Sequence, residues 1–145
     1  MFEKILYPTD FSEVARKSMS FIKQLKGAGT KEVVVLHVTD IRNINAWDWQ
    51  TATESLIKIK GELEKEITKE MNSIEAELSK AGLKVKVRFE EGIPLREILR
   101  VEEEEDISVI ILGSHGRSNI AEMLLGSVSE KVIRKAKKPV LIVKR

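Results

Sequence analysis

Five short runs of apolar, mostly β-branched residues punctuate the chain: Lys4 to Tyr7, Glu32 to Val38, Leu83 to Phe89, Ile107 to Leu112 and Val140 to Val143. A strand is expected at each. Four are unbroken, the pattern of strands covered on both faces. In the third, Leu83, Val85, Val87 and Phe89 alternate with Lys84, Lys86 and Arg88, so it reads as an edge or half-exposed strand.

Helical spacing fills the intervals. Val14, Ala15, Ser18, Ile22 and Leu25 share one face between Ser12 and Lys26, and Gly27 follows as a stop signal. The stripe Leu56, Ile59, Leu63, Ile67, Met71, Ile74, Leu78 advances in steps of three and four until Gly82 ends it. Leu95, Ile98, Leu99 and Val101 follow Pro94, a residue tolerated in a first helical turn. Val132, Ile133 and Ala136 mark a last helix between Val128 and Lys137, ahead of Pro139. A helix from Glu54 to Lys80 would extend about 40 Å, against about 17 to 20 Å for an ordinary strand. It is therefore expected to overhang the sheet or to break near Gly61. The stretch before it, Ile41 to Thr53, has no periodicity and holds Trp47 and Trp49, and such long loops often serve as lids or interfaces.

Strand and helix thus alternate, which implies parallel strands, right-handed crossovers and helices on both faces. The expected fold is a single-domain α/β, flavodoxin-like three-layer sandwich with a five-stranded parallel sheet in the order 3-2-1-4-5, which places the alternating third strand at an edge. A length of 145 residues suits one domain over 1–145. In such sheets ligands bind beyond the strand C-termini where strand order reverses, here between strands 1 and 4. Pro8, Thr9 and Asp10 leave the first of these strands, and Gly113, Ser114, His115 and Gly116 leave the other.

Composition narrows the chemistry. Lys plus Arg number 25 against 23 Asp plus Glu, and the net charge of +2 gives no strong pull toward nucleic acid or acidic lipid. With no cysteine and only two histidines, neither disulfides nor a protein-built metal site is expected. The opening MFEKILYPTD lacks the long apolar segment of a secretion signal, and no apolar run reaches membrane-spanning length, so a cytoplasmic protein is expected. Charged residues make up 33% of the chain, which resembles the ion-pair-rich surfaces of thermophilic proteins.

The informative motif is Gly113, two residues, Gly116, nine residues, Gly126 and Ser127, spanning the fourth strand end, its loop and the start of the final helix. Glycines after a strand let the backbone take positive φ and approach an anion, while amides at a helix N-terminus present oriented positive dipoles. Ser127 and Ser129 add hydroxyls, and Arg117 is a nearby cation. The pattern is neither a Walker A loop nor a dinucleotide fingerprint, and no lysine follows the last glycine. Without such a lysine or a positioned base, phosphoryl transfer has little visible machinery, and no catalytic residue is assigned.

Taken together, GSHGRSNIAEMLLGSVSEKVIRKAKKPVLIVKR, the opening KILYPTDFSE, VVVLHVTD in the second strand and GIP before the third helix resemble the ATP-binding branch of the universal stress protein family. The resemblance implies a homodimer that binds ATP, with Mg or Mn bridging the phosphates. It implies that Gly113, Ser114, His115, Gly116, Arg117, Ser118 and Asn119, with Gly126, Ser127, Val128 and Ser129, line the phosphates. Pro8, Thr9, Asp10 and the Val38 backbone would line the adenosine, Asp10 accepting from a ribose hydroxyl. Dimerisation would use the last strand, Val140, Leu141, Ile142 and Val143.

Plainer roles exist for several of these residues. Asp10 with Glu13 has capping-box spacing, Ser12 is an equally good cap, and Ser127 pairs with Glu130 in the same way. Gly113 and Gly116 also suit a tight turn, and Gly126 a packing position. His115 reads as a loop residue, His37 as a core residue and Glu102 to Asp106 as a solvated run. The tryptophans read as interface or lid packing. An ATP-dependent switch or sensor is the preferred function. A slow or partner-dependent ATPase or phosphotransferase, a scaffold dimer and a flavin-binding module are the rivals.

Overall fold

A computed structural model describes residues 1–44, 54–114 and 126–144. Trp47, Trp49 and the loop positions His115, Gly116, Arg117, Ser118 and Asn119 lie outside the described residues. The elements run β1 (Lys4–Pro8), α1 (Glu13–Leu25), β2 (Glu32–Asp40), a one-turn α2 (Ile41–Ile44), α3 (Glu54–Lys80), β3 (Lys84–Gly92), α4 (Pro94–Glu104), β4 (Val109–Gly113), α5 (Ser127–Lys135) and β5 (Val140–Val143). All strands are parallel in the order β3-β2-β1-β4-β5. The expected doubly wound α/β fold is the one observed.

Strand alternation decides what each face buries. Ile5, Tyr7, Val33, Val35, Val109, Ile111 and Val143 point to one face, where α1 supplies Met19 and Ile22 and α3 supplies Met71, Ile74 and Leu78. Leu6, Val34, Leu36, Ile110 and Leu112 point to the other, against Ile98 and Val101 of α4 and Val132 of α5. Apolar side chains on both faces explain the unbroken runs. β3 alternates because it is an edge, bonded to β2 alone among the strands.

The long helix runs without a break through Gly61, so it overhangs. Met71 and Leu78 are fully buried against the sheet, whereas Ile57, Ile59 and Leu63 are 64%, 48% and 52% exposed. A helix interior tolerates one glycine at a cost of about 1 kcal/mol, too little to force a break.

Two capping expectations resolve differently from the sequence pattern. Ser12, with extended backbone at ψ 162°, caps α1 by accepting the Ala15 amide. Asp10 stands too far upstream for that and instead accepts the Ser12 amide at 2.9 Å. In α5 the cap position falls to Gly126, and Ser127 is already helical, so Ser127 and Glu130 form no capping box.

The acidic run is not simply solvated. Glu102 and Glu105 are 3% and 9% exposed. Glu102 Oε1 accepts the amides of Lys137 and Lys138 at 2.9 and 2.7 Å, fixing the turn into β5. Glu105 pairs with Lys86 at 2.7 Å, Arg88 at 3.1 Å and Lys4 at 3.5 Å. The Lys86 ammonium outweighs burial and holds the Glu105 carboxyl below the usual range.

Candidate functional site

β1 stops at Pro8, opposite Leu36, while β2 continues to Asp40. A crevice therefore opens beyond β1, between β2 and the end of β4, where strand order reverses. The cavity there, about 270 Å³, is lined by Pro8, Thr9, Asp10 and Ser12 from the β1–α1 loop, Leu36 and Val38 from β2, and Leu112 and Gly113 from β4. Gly126, Ser127, Val128 and Ser129 close it at the start of α5. Val38 is thus at this cavity, as are all the named residues of both half-sites except Ser114 and those outside the described residues.

Ser114 sits beneath, 1% exposed. Its amide donates to the Val143 carbonyl at 2.8 Å, and its carbonyl accepts the Gly126 amide at 2.6 Å. That pair of bonds ties the β5 edge to the first residue before α5.

Val38 offers backbone rather than side-chain polarity. The Leu36 carbonyl faces β1, where it accepts the Thr9 amide at 2.8 Å. Two residues along an extended strand the backbone faces the same side again, so the N–H and C=O of Val38 point past the end of β1 into the crevice. At the opposite end, Ser127, Val128 and Ser129 occupy the first turn of α5, where helix geometry provides no internal acceptor for the amides. The cavity therefore has a hydrogen-bonding strand edge at one end and a helix N-terminus at the other.

The two described glycines of the motif, Gly113 and Gly126, work differently from the expectation. Neither Gly113 nor Gly126 is at positive φ, the latter having φ −70°. A Cβ on Gly113 would lie 2.9 Å from Val14 Cγ1 and 3.4 Å from the Ala15 amide nitrogen, so this glycine admits α1 close against the strand end. The Ser129 hydroxyl donates to the Gly113 carbonyl at 2.7 Å, which commits its proton to joining α5 to β4.

Asp10 is the one charged side chain among the described lining residues. No lysine or histidine accompanies it there. Among the described residues no group of three metal-ligating side chains exists, and Asp10 is the one carboxylate among the described lining residues. That suits Mg, which keeps several waters and takes its other ligands from phosphates.

The sequence pattern missed Ser12, Ala15, Pro94 and Ile98, which also line the cavity. Ile98 shares its buried face with Leu36, and Pro94 opens α4 as its first residue. The GIP segment was the available signal for that wall.

Residues 1–144 match the model of the Universal stress protein family. Universal stress protein MJ0577 of Methanocaldococcus jannaschii is 43% identical over 156 aligned positions, covering 100% of this chain and 96% of its own. A solved structure of MJ0577 is similar with a TM-score of 0.89 at 45% identity, covering 100% of this chain and 97% of that one. A universal stress protein in complex with cAMP has a TM-score of 0.65 at 21% identity, covering 99% and 97%. The universal stress protein from Archaeoglobus fulgidus in complex with dAMP gives 0.64 at 20%, covering 99% and 98%. At these identities the last two establish a shared fold only.

Proposed function

This chain belongs to the universal stress protein family, and from that premise we propose that it is an ATP-binding protein acting as a homodimeric switch or sensor in the cytoplasm. The observation that carries the reading is the pairing of two unlike hydrogen-bonding ends on one cavity, the Val38 backbone and the first turn of α5. An adenine edge needs one donor and one acceptor side by side, which a strand's N–H and C=O supply. Phosphates need amides and positive dipole, which a helix N-terminus supplies. Asp10 lines the same cavity and would accept a hydrogen bond from a ribose hydroxyl. His115, Gly116, Arg117, Ser118 and Asn119 complete the phosphate side. Mg or Mn bridges the phosphates, held mainly by the nucleotide itself.

The dimer uses the β5 edge. β5 bonds only to β4 among the strands, and Leu141 is 41% exposed. An unpaired apolar edge invites pairing with a second copy. The Val143–Ser114–Gly126 hydrogen bonds then link that interface to the phosphate end of the cavity.

Calorimetric titration of the purified chain with MgATP tests this reading, with AMP and cAMP as further probes. Gly126→Asp is the informative variant. Gly126 has φ −70° and ψ 158°, a conformation that Asp adopts readily, and Asp is a strong N-cap, so folding is retained. Its carboxylate would meet the phosphates, and a loss of MgATP affinity of tenfold or more is expected. Equal affinity in both proteins, or none in wild type, sinks the proposal.

A further inference from the structure

The β1–α1 loop has two sides, and only the front meets the cavity. Pro8, Thr9, Asp10 and Ser12 line it. Behind them Phe11 turns the opposite way, 8% exposed and packed into the cluster shared by α1 and α3. Its φ of 63° is left-handed, a conformation that a bulky side chain adopts only under constraint.

His37 supplies constraint at that point. Along β2 it shares its parity with Val33 and Val35, which face α1 and α3, whereas Leu36 and Val38 face the cavity. His37 therefore stands behind the loop, outside the cavity lining. Its ring stacks on Phe11 with centroids 4.8 Å apart and planes at 18°. Its Nδ1 lies 3.1 Å from the Thr9 carbonyl oxygen, which can only accept, so Nδ1 carries the proton. The loop closes on itself in front, with the Phe11 amide donating to Thr9 Oγ1 at 3.1 Å and the Ser12 amide to Asp10 Oδ1 at 2.9 Å. Fixing the Thr9 carbonyl from behind thus fixes the Asp10 carboxylate in front.

We propose that His37 is a positioning residue for the nucleotide site, holding the Thr9–Ser12 loop from the back of the sheet through its Nδ1–H bond to the Thr9 carbonyl. The role rests on the reading of the cavity as a nucleotide site. A histidine within a strand looks like core, and its reach to the loop depends on β2 outrunning β1.

Two substitutions separate the hydrogen bond from the stack. His37→Phe keeps a ring and removes the donor. His37→Asn removes the ring and places an amide NH2 near the Nδ1 position. MgATP affinity is measured by calorimetry, and exchange of the Phe11 and Ser12 amides is followed by NMR without nucleotide. His37→Phe is expected to weaken MgATP by about three- to tenfold, the range for losing one hydrogen bond, and to speed exchange of both amides. His37→Asn should stay within about twofold of wild type in affinity and retain slow exchange. Unchanged affinity in His37→Phe overturns the role, as does equal weakening in the two variants, which would assign the effect to the ring or to folding. A wild-type chain that ignores MgATP removes the nucleotide reading and this role with it. The exchange rates distinguish that failure, since they report on the brace whether or not nucleotide binds.

Discussion

Gly113→Ala probes the closeness of α1 to the end of β4. The new Cβ would lie 2.9 Å from Val14 Cγ1, 3.3 Å from Val14 Cβ and 3.4 Å from the Ala15 nitrogen. Rotation of the Val14 side chain could relieve only the first of these, because the other two atoms move with the α1 backbone. Val14 is 5% exposed, so rotation also has little free space. Overpacking of this kind costs about 1 to 3 kcal/mol. The smaller unfolded-state entropy of alanine offsets about 0.4 to 1 kcal/mol of that. From the middle of each range the net expectation is a loss of about 1.3 kcal/mol, or roughly 4 °C in Tm for a chain of this size. The effect should also reach the cavity, since Ser12 caps the displaced helix and lines the site. Thermal unfolding followed by circular dichroism, with MgATP titration of the same sample, measures both. A variant as stable as wild type would refute the assignment of Gly113 to close packing and return it to a role in the loop alone.

The remaining predictions concern the scaffold. Glu102→Ala strips the charged acceptor from the part-buried hydrogen bonds of the Lys137 and Lys138 amides and should cost about 1.5 to 3 kcal/mol in urea unfolding, the range for hydrogen bonds to a charged group. An unchanged urea midpoint would contradict that role for the carboxylate. Tyr7 is fully buried and donates to the Ala15 carbonyl, and burial pushes its phenol up to about 12 from 10.0. The unfolded chain therefore releases this proton before the folded one does, so the contribution is intact below pH 10 and is lost between about pH 10 and 12. Wild type should lose about 2 kcal/mol more than Tyr7→Phe across that window in denaturant titrations, and parallel losses would count against it.

Sheet order and the positions of the strands were legible from the pattern, although β2 and β3 run two and three residues past their expected ends, to Asp40 and Gly92, and β4 starts two residues late, at Val109. Unbroken apolar runs mean two covered faces, and the lysines alternating through β3 mean an edge. The two half-sites were legible for the same reason, since the end of a strand and the start of a helix are local features. What escaped was long-range. Gly113 was visible as a glycine, but its cause is the approach of Val14 and Ala15, set by how α1 packs back on the sheet. The Ser129 hydroxyl looked available until Gly113 came within 2.7 Å of it. Glu102 and Glu105 looked solvated because their partners, the Lys137 and Lys138 amides and the cations of β1 and β3, stand far away in the chain. Pro94 and Ile98 joined the cavity wall only through the crossover that lays α4 beside β2.

The two edges of the sheet are unequal, and the inequality bears on assembly. β3 presents Lys84, Lys86 and Arg88, and three of the carboxylates beside them, Glu90, Glu104 and Glu105, pair with Arg88. An approaching strand would have to displace that network and bury charge, a cost that protects edges from unwanted pairing. β5 carries no charge from Val140 to Val143 and exposes Leu141. A second copy added there would extend the sheet sideways and leave the crevice beyond the strand ends uncovered. Pairing at β5 and occupancy of the cavity are thus geometrically compatible, and the hydrogen bonds through Ser114 join the two places. Under the proposed reading the switch would need no large motion, because a small shift of α5 around bound phosphate would reach β5 by way of the Gly126–Ser114–Val143 hydrogen bonds.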